Sequence, residues 1–276
     1  MSISSKPIQY YHFRGEQYEI VDSEVIVEKA VSLTVNGEVW LDFMCTPIDL
    51  EAMALGFLYN EKIINGIEDV EDYKVCQNGD NVDIWLNFHV EIPENWRRTS
   101  GCTGGVTSVG NSNTDKSRAK PRLENGAVLT PGQIYSLIDL LFQSQNVYRK
   151  SGGVHTSALS DGELLNIIAE DIGRHNTLDK ISGHCLLNGT RTARRVMITT
   201  GRISSEMIQK SARIGTSIVI SRTSPSSISV KLARNWGITL VGYTRRNSFR
   251  VYSHPERILS QFVIEAKNKS AHKINS

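Results

Sequence analysis

The chain has 276 residues, 39% hydrophobic and 22% charged, with 21 Gly, 7 Pro and a net charge of +2. That is ordinary globular usage: it excludes collagen-like and wholly disordered chains and leaves room for one large domain or two smaller ones. No apolar run approaches the ~20 residues needed to span a bilayer, and M-S-I-S-S-K-P-I-Q-Y-Y-H-F has no apolar signal core, so the expectation is a soluble cytoplasmic protein with no membrane partner.

Residues 31–43 alternate in hydrophobicity on either side of Asn36-Gly37, the favoured pair for a tight hairpin. Thr46-Pro47 is expected to open a helix in which Leu50, Met53, Ala54, Phe57 and Leu58 share one buried face. A second hairpin is expected around Asn78-Gly79, with V-D-I-W-L-N-F as its return strand. Residues 110–126 are polar, aperiodic and punctuated by Gly and Pro, a mobile linker and the expected domain boundary.

Beyond it, Thr130-Pro131 caps a helix carrying Ile134, Leu137, Ile138 and Leu141. From residue 163 strands and helices alternate: L-L-N-I-I-A-E before a helix with Leu178, Ile181 and Cys185; R-V-M-I-T-T before a helix starting after Ser205; S-I-V-I-S before a helix with Ile228, Leu232 and Trp236; then I-T-L-V-G-Y. Helical crossovers imply mostly parallel pairing, an α/β domain preceded by a small α+β domain. The expected division is 1–109, 110–126 and 127–276, with the last dozen residues as a frayed tail.

Residues 190–250 hold twelve Lys/Arg against Glu206 alone, a local charge of +11 that leaves −9 on the rest of the chain. Such asymmetry points to a polyanion, with a solvated basic face as the bland alternative. Loops that follow parallel strands share one edge, where ligands sit. Here those loops are 171–176, 199–206, 221–227 and 244–254, and they carry Arg174, His175, Arg202, Ser204, Ser205, Arg222, Arg245 and His254. Two of them enter helix N-termini, whose free N–H groups favour phosphate, although Ser there is also an ordinary cap.

Cys102 lies in R-R-T-S-G-C-T-G-G-V-T. Arg97 and Arg98 favour its thiolate and the glycines allow a bulky partner to approach, the setting of a reactive thiol; a small buried hydrophobe beside glycine is the alternative. Cys45, Cys76 and Cys185 are read as structural. His155, after paired glycines, is either near a ligand or a hydrogen-bonded structural residue, and His175 has the same two readings. The Cys and His spacings match no zinc pattern, and neither a P-loop, a dinucleotide fingerprint nor a nucleophile elbow is present.

The rim strings themselves, E-D-I-G-R-H-N-T-L-D-K-I-S-G (170–183), T-T-G-R-I-S-S-E-M-I-Q-K-S-A-R-I-G (199–215), S-R-T-S-P-S-S (221–227), F-R-V-Y-S-H-P-E-R-I (249–258), S-G-G-V-H-T (151–156) and T-P-I-D-L-E-A-M-A-L-G-F-L (46–58), closely resemble the formate dehydrogenase accessory sulfurtransferases, the FdhD family. The resemblance runs from about residue 20 to 260. It implies a cytoplasmic, homodimeric sulfur carrier that takes sulfane sulfur from a cysteine desulfurase as a cysteine persulfide. The sulfur then passes to the molybdenum (or tungsten) bis-guanine-dinucleotide pterin cofactor of formate dehydrogenase, bound as substrate, with no tightly held metal of the carrier's own. It also implies a cytidine-deaminase-like three-layer fold for the larger domain. The persulfide cysteine maps onto Cys102, and the cofactor-binding stretch onto Phe249, Arg250, Val251, Tyr252, Ser253 and His254, with Arg202 and His175 joining them from the rim.

One departure stands out. Many relatives carry C-x-x-C in this loop, whereas here Gly105 occupies the second position, which removes any mechanism needing a resolving thiol or zinc there. Single-cysteine transfer remains chemically sufficient. The alternative is a cofactor-binding chaperone without persulfide chemistry. Nucleic-acid binding rests on the basic segment alone, and no nucleic-acid partner is expected.

Overall fold

The computed structural model describes residues 4–93, 96–98, 106–108, 127–190 and 195–258, the two three-residue segments by their backbone only. Cys102, the 110–126 linker and the expected tail lie outside the described residues.

Strands β1 (Ser5–Arg14) and β2 (Gln17–Ile26) form a two-stranded antiparallel hairpin whose tip carries Tyr11, Phe13, Tyr18 and Ile20 largely exposed. β3 (Lys29–Val35) and β4 (Glu38–Cys45) pair antiparallel as expected, because Asn36 and Gly37 both adopt positive φ, 49° and 85°. Helix α1 (Leu50–Asn60) buries the expected Leu50, Met53, Ala54, Phe57 and Leu58. It starts later than Thr46-Pro47 suggests, since the Thr46 amide donates to Asp171 (3.1 Å) and its hydroxyl accepts from the Ile172 amide (3.1 Å).

β5 (Val70–Val75) and β6 (Asn81–Leu86) make the second hairpin, and β6 joins β3 in parallel to give the sheet order β4-β3-β6-β5. β7 (Trp96–Arg98) and β8 (Val106–Ser108) pair antiparallel.

Helix α2 (Pro131–Gln143) is closed by a capping box: the Gln133 amide donates to the Thr130 hydroxyl and the Thr130 amide to the Gln133 side-chain oxygen. Then follow α3 (Val147–Ser151), β9 (His155–Ser160), β10 (Leu165–Asp171), α4 (Arg174–Leu187), β11 (Val196–Thr199), α5 (Ser205–Arg213), β12 (Ile218–Ser221), α6 (Ser227–Trp236), β13 (Thr239–Gly242) and β14 (Arg250–Ser253). The sheet order is β10-β9-β11-β12-β13-β14. β11, β12 and β13 are mutually parallel, and β14 runs antiparallel to β13.

On α6 the expected apolar stripe is not the buried face. Ile228 is 60% exposed, while Ser229 and Ala233 are buried, small residues that let the helix lie close to its neighbours.

Two compact units emerge. Unit 1 is Met1–Ala119, Ser144–Ser157 and Ile167–Arg191; unit 2 is Lys120–Gln143, Ala158–Asn166 and Thr192–Ser276. Sequence alone places 144–157 and 167–191 in the later domain. They fold with the earlier residues because α4 packs on α1 through a reciprocal pair of glycines. A Cβ at Gly56 would stand 1.8 Å from the Asp179 carbonyl oxygen, and one at Gly183 would stand 1.8 Å from that of Ala52.

The core of unit 1 centres on Val31, Leu33, Phe43, Met53, Phe57, Val82 and Ile84, with Phe43 and Phe57 edge-on at 5.1 Å. That of unit 2 is built from Leu129, Ile134, Leu137, Ile138 and Leu141 against Val196, Ile198, Ile218, Ile220 and Val241. Each such side chain contributes about 1.5–3 kcal/mol by leaving water.

Candidate functional site

In unit 2 the parallel strands β11, β12 and β13 end at Thr199, Ser221 and Gly242, and the loops after them are laced together. The Arg222 amide donates to the Thr199 carbonyl, Ile203 to Ser224, Ser226 to Ile203, Tyr243 to Thr223 and Thr244 to Ser221. The buried Ser221 hydroxyl donates to the Gly201 carbonyl (2.7 Å) and accepts from the Thr223 amide (2.9 Å). This network fixes the entry to α5 and α6. Ser204 caps the first through the Met207 amide (3.4 Å) and Ser226 caps the second through the Ser229 amide (3.2 Å). α5 carries Glu206 in its first turn and α6 carries no acid there, so the α6 end is the more favourable of the two for an anion.

The 249–254 stretch starts at the same edge with Phe249 and Arg250, but because β14 runs antiparallel to β13 it ends at the far end of that strand, so His254 lies beside Thr239 and not on the rim where sequence places it. Phe249 packs on Tyr135, ring centroids 5.6 Å apart. The Arg250 guanidinium lies 4.2 Å over the Tyr243 ring, and Tyr243 itself has φ 51°. Along β14 the register slips, Leu240 facing Ser253 while Val241 faces Val251, so Tyr252 is the extra residue of a bulge. Its ring rests beside Gly242, where a Cβ would come within 3.1 Å of Tyr252 Cε2 and of Pro225, and 3.0 Å of the Thr223 carbonyl oxygen. The bulge thereby keeps the Tyr252 ring beside Gly242, on which the 223–225 loop also closes.

The other members of the stretch have structural bonds of their own. Val251 packs on the unit 2 core. Ser253 is buried, donating to the Ile238 carbonyl (2.7 Å) and accepting from the Leu240 amide (3.1 Å). His254 sits in the left-handed region at φ 50°, with Nδ1 2.9 Å from Glu256 and Nε2 2.9 Å from the Arg234 carbonyl at the end of α6. Arg202 is exposed just beyond β11.

Two further arginines, which sequence places on the rim without pairing them, come together here. Arg222 Nη1 donates to the Thr244 carbonyl (2.8 Å), and Arg245 Nη1 reaches the Arg222 carbonyl (2.6 Å) and the same Thr244 carbonyl (3.3 Å). The Arg222 guanidinium also lies 5.0 Å over the Phe142 ring. Burial first, and then the charge of Arg245, hold it below the ordinary arginine range.

In unit 1, His175 is the half-buried second residue of α4. The D-I-G-R-H-N string there is largely architectural. Asp171 accepts from the Gly173 amide (2.7 Å), Asn176 Nδ2 (2.8 Å) and Lys180 Nζ (2.7 Å). Glu170 accepts from the Asn146, Val147 and Tyr148 amides at the start of α3. Sequence gives no sign of the buried Lys180, lysine being a residue type least expected inside.

The described cysteines differ sharply from an exposed thiolate. Cys45 is buried, and its thiol is pushed up to about 12 by burial and then by Asp171. Cys76 donates to Asp80 (2.7 Å) within its hairpin turn, and Cys185 is half-buried on α4. An open recess of about 740 Å³ in unit 1, lined by Asn36, Glu71 and Trp85 through His89, holds none of the expected site residues. Among the described residues no cluster of His, Cys, Asp and Glu could hold a metal ion, and no helix is long and apolar enough to cross a membrane.

A mixed α/β chain with this arrangement is shared with a solved protein. The crystal structure of a proposed formate dehydrogenase accessory protein from Desulfotalea psychrophila superposes with a TM-score of 0.75 at 28% identity, covering 93% of this chain and all of that one. The fold is thus the one that proposed accessory protein adopts. Sequence relatives agree. A sulfur carrier protein FdhD from Bacillus subtilis (strain 168) is 34% identical over 251 residues, 89% of this chain and 95% of the relative. Another from Staphylococcus aureus (strain MRSA252) is 33% identical over 257 residues, 92% and 96% of the two chains. Residues 26–259 match the FdhD/NarQ family, and the chain belongs to it.

Proposed function

We propose that this protein is a cytoplasmic sulfurtransferase in which Cys102 carries sulfane sulfur from a cysteine desulfurase to the molybdenum or tungsten bis-guanine-dinucleotide pterin cofactor of formate dehydrogenase. The observation that carries the reading is the set of cysteines in a chain whose relatives are sulfur carriers. Cys45 is buried and strongly protonated, Cys76 is engaged by Asp80, and Cys185 lies on a packed helix. Cys102, between Arg97-Arg98 and Gly104-Gly105, has the sequence setting of a usable thiolate.

The loading step is thiol exchange. The Cys102 thiolate attacks the outer sulfur of the donor persulfide, the donor's S–S bond breaks, and the donor thiolate leaves. Onward delivery to the metal as sulfide requires two electrons from an external thiol reductant and returns Cys102 to the thiolate. Arg97 and Arg98 stabilise that thiolate in both steps. Phe249, Arg250, Tyr252 and Arg202 would face the dinucleotide cofactor, with Val251, Ser253 and His254 fixing the stretch that presents them; the part expected of His175 rests on the family resemblance alone. A basic segment of +11 suits such a polyanion. The same reading takes the larger domain as cytidine-deaminase-like in its layering and the working protein as a homodimer.

The test is peptide mass spectrometry after incubation with a cysteine desulfurase and cysteine. One added sulfur (~32 Da) on the Cys102 peptide, absent without the desulfurase, is the expected result. A Cys102 that stays a plain thiol while the desulfurase itself is loaded sinks the carrier mechanism and favours a cofactor chaperone.

A further inference from the structure

Two guanidinium groups meet at one carbonyl oxygen in unit 2. Arg222 Nη1 is 2.8 Å and Arg245 Nη1 3.3 Å from the oxygen of Thr244. The two cations are therefore near neighbours, and among the described residues no carboxylate forms an ion pair with either. Like charges at this separation repel, and the cost rises as water is excluded. That is the direction in which Arg222 is displaced, burial acting first and Arg245 second.

A second observation comes from Thr244. Its side chain is wholly buried, its carbonyl receives both arginines, and its hydroxyl has no partner among the described residues. A hydroxyl with no exposure is out of reach of a ligand from solvent, so what Thr244 supplies is its carbonyl, which holds both guanidinium groups in place. Arg222 follows β12 on the loop that leads into α6, whose first turn holds no acid, and Arg245 is on the loop that follows β13.

We propose that Arg222 and Arg245, over Thr244, form the seat for the diphosphate group of the nucleotide-bearing ligand. The seat deepens the cofactor reading above and rests on it. Arginine suits the task because its planar fork gives a phosphate two parallel hydrogen bonds. Phe142, stacked under Arg222 at 5.0 Å, and the carbonyls of Thr244 and Arg222 hold the two forks in advance of binding. An anion between them would offset the part of the repulsion that water does not already screen, Arg245 being exposed and Arg222 partly buried.

The experiment is isothermal titration calorimetry of the full-length protein at fixed salt, with GDP and with inorganic pyrophosphate as separate probes. Arg222→Gln and Arg245→Gln are compared with Arg246→Gln, an equal charge change at an exposed neighbour. The expected result is that the first two each weaken both probes about tenfold, while Arg246→Gln changes them less than about twofold. Equal losses in all three variants would mean diffuse electrostatic attraction and would overturn the seat. So would a loss confined to GDP with pyrophosphate unaffected.

Wild-type binding that survives Arg222→Gln and Arg245→Gln removes the seat and leaves the cofactor reading standing. Absence of binding for both probes to the wild type removes both. Each variant is checked by circular dichroism melting. If Arg222→Gln does not fold, Arg222→Lys, which keeps the charge and loses the fork, is read in its place with the same expected direction.

Discussion

Lys180 Nζ lies 2.7 Å from Asp171 Oδ2, and neither side chain has any solvent exposure. The ammonium also donates to the carbonyls of Thr46 and Glu170, both at 3.1 Å, so all its protons are used. Asp171 in turn accepts from two backbone amides and Asn176. A buried ion pair is tolerated only when its remaining hydrogen-bonding capacity is met in this way, and here the pair ties α4, β10 and the segment between β4 and α1 together.

Removing one partner should therefore be costly. Lys180→Met leaves the Asp171 carboxylate buried without its counter-ion, and the expected loss is about 3–5 kcal/mol in urea unfolding. The double variant Lys180→Met, Asp171→Leu should recover part of it. A Lys180→Met protein as stable as wild type would show that the pair contributes nothing.

The glycine contact between α1 and α4 gives a second expectation. Gly183→Ala or Gly56→Ala puts a methyl within 1.8 Å of a backbone oxygen, which no side-chain rotation can relieve. Each should lower stability by about 3 kcal/mol or more and broaden the thermal transition. Gly189→Ala, where an added Cβ meets nothing within 4 Å but φ is 57°, should cost no more than about 1 kcal/mol.

Cys45 should be inert in the native protein. With its thiol pushed from 9.0 to about 12, the thiolate fraction near pH 8 is about a thousandfold below that of an ordinary cysteine. Iodoacetamide at pH 8 should label Cys45 only after unfolding, which peptide mapping will read. The same shift has a stability consequence. Between pH 9 and about 12 the native state keeps a proton that the unfolded chain has lost, so this contribution is full below pH 9 and falls as pH rises, by about 1.4 kcal/mol per unit.

Cys102→Ala should abolish maturation of formate dehydrogenase in a strain dependent on this protein, with the variant's melting temperature within about 2 °C of wild type. Cys76→Ala and Cys185→Ala should retain maturation. Dehydrogenase activity at wild-type level with Cys102→Ala would remove the persulfide mechanism.

Much of this architecture is legible from local chemistry, and its failures have a common cause. Asn36-Gly37 and Thr130-Pro131 specify their turn and cap through atoms a few residues apart, and both form as read, the structure adding Gln133 as the other half of a capping box. Thr46 does not act as a helix cap because its amide and hydroxyl are taken by Asp171 and Ile172, 125 and 126 residues away. β9 escapes a hydrophobic reading because its Thr156, Ser157 and Ser160 are buried polar residues, satisfied by partners such as Gln145 and Thr177.

At the candidate site, the rim loops and their arginines are visible in the sequence. The Tyr252 bulge and the convergence of Arg222 and Arg245 on Thr244 are not, since both depend on register between strands.

The segments of unit 1 are interrupted by those of unit 2, and this bears on how the chain is made. The Lys180–Thr46 bond closes a span of 134 residues. On the ribosome, the sheet of the first hundred residues must therefore wait, with one face of α1 uncovered, until α4 has emerged. Non-local closure of this kind slows folding and prolongs exposure of apolar surface. A nascent chain stalled before residue 174 should be held by chaperones or aggregate, and expression of residues 1–126 as an independent fragment should yield insoluble protein.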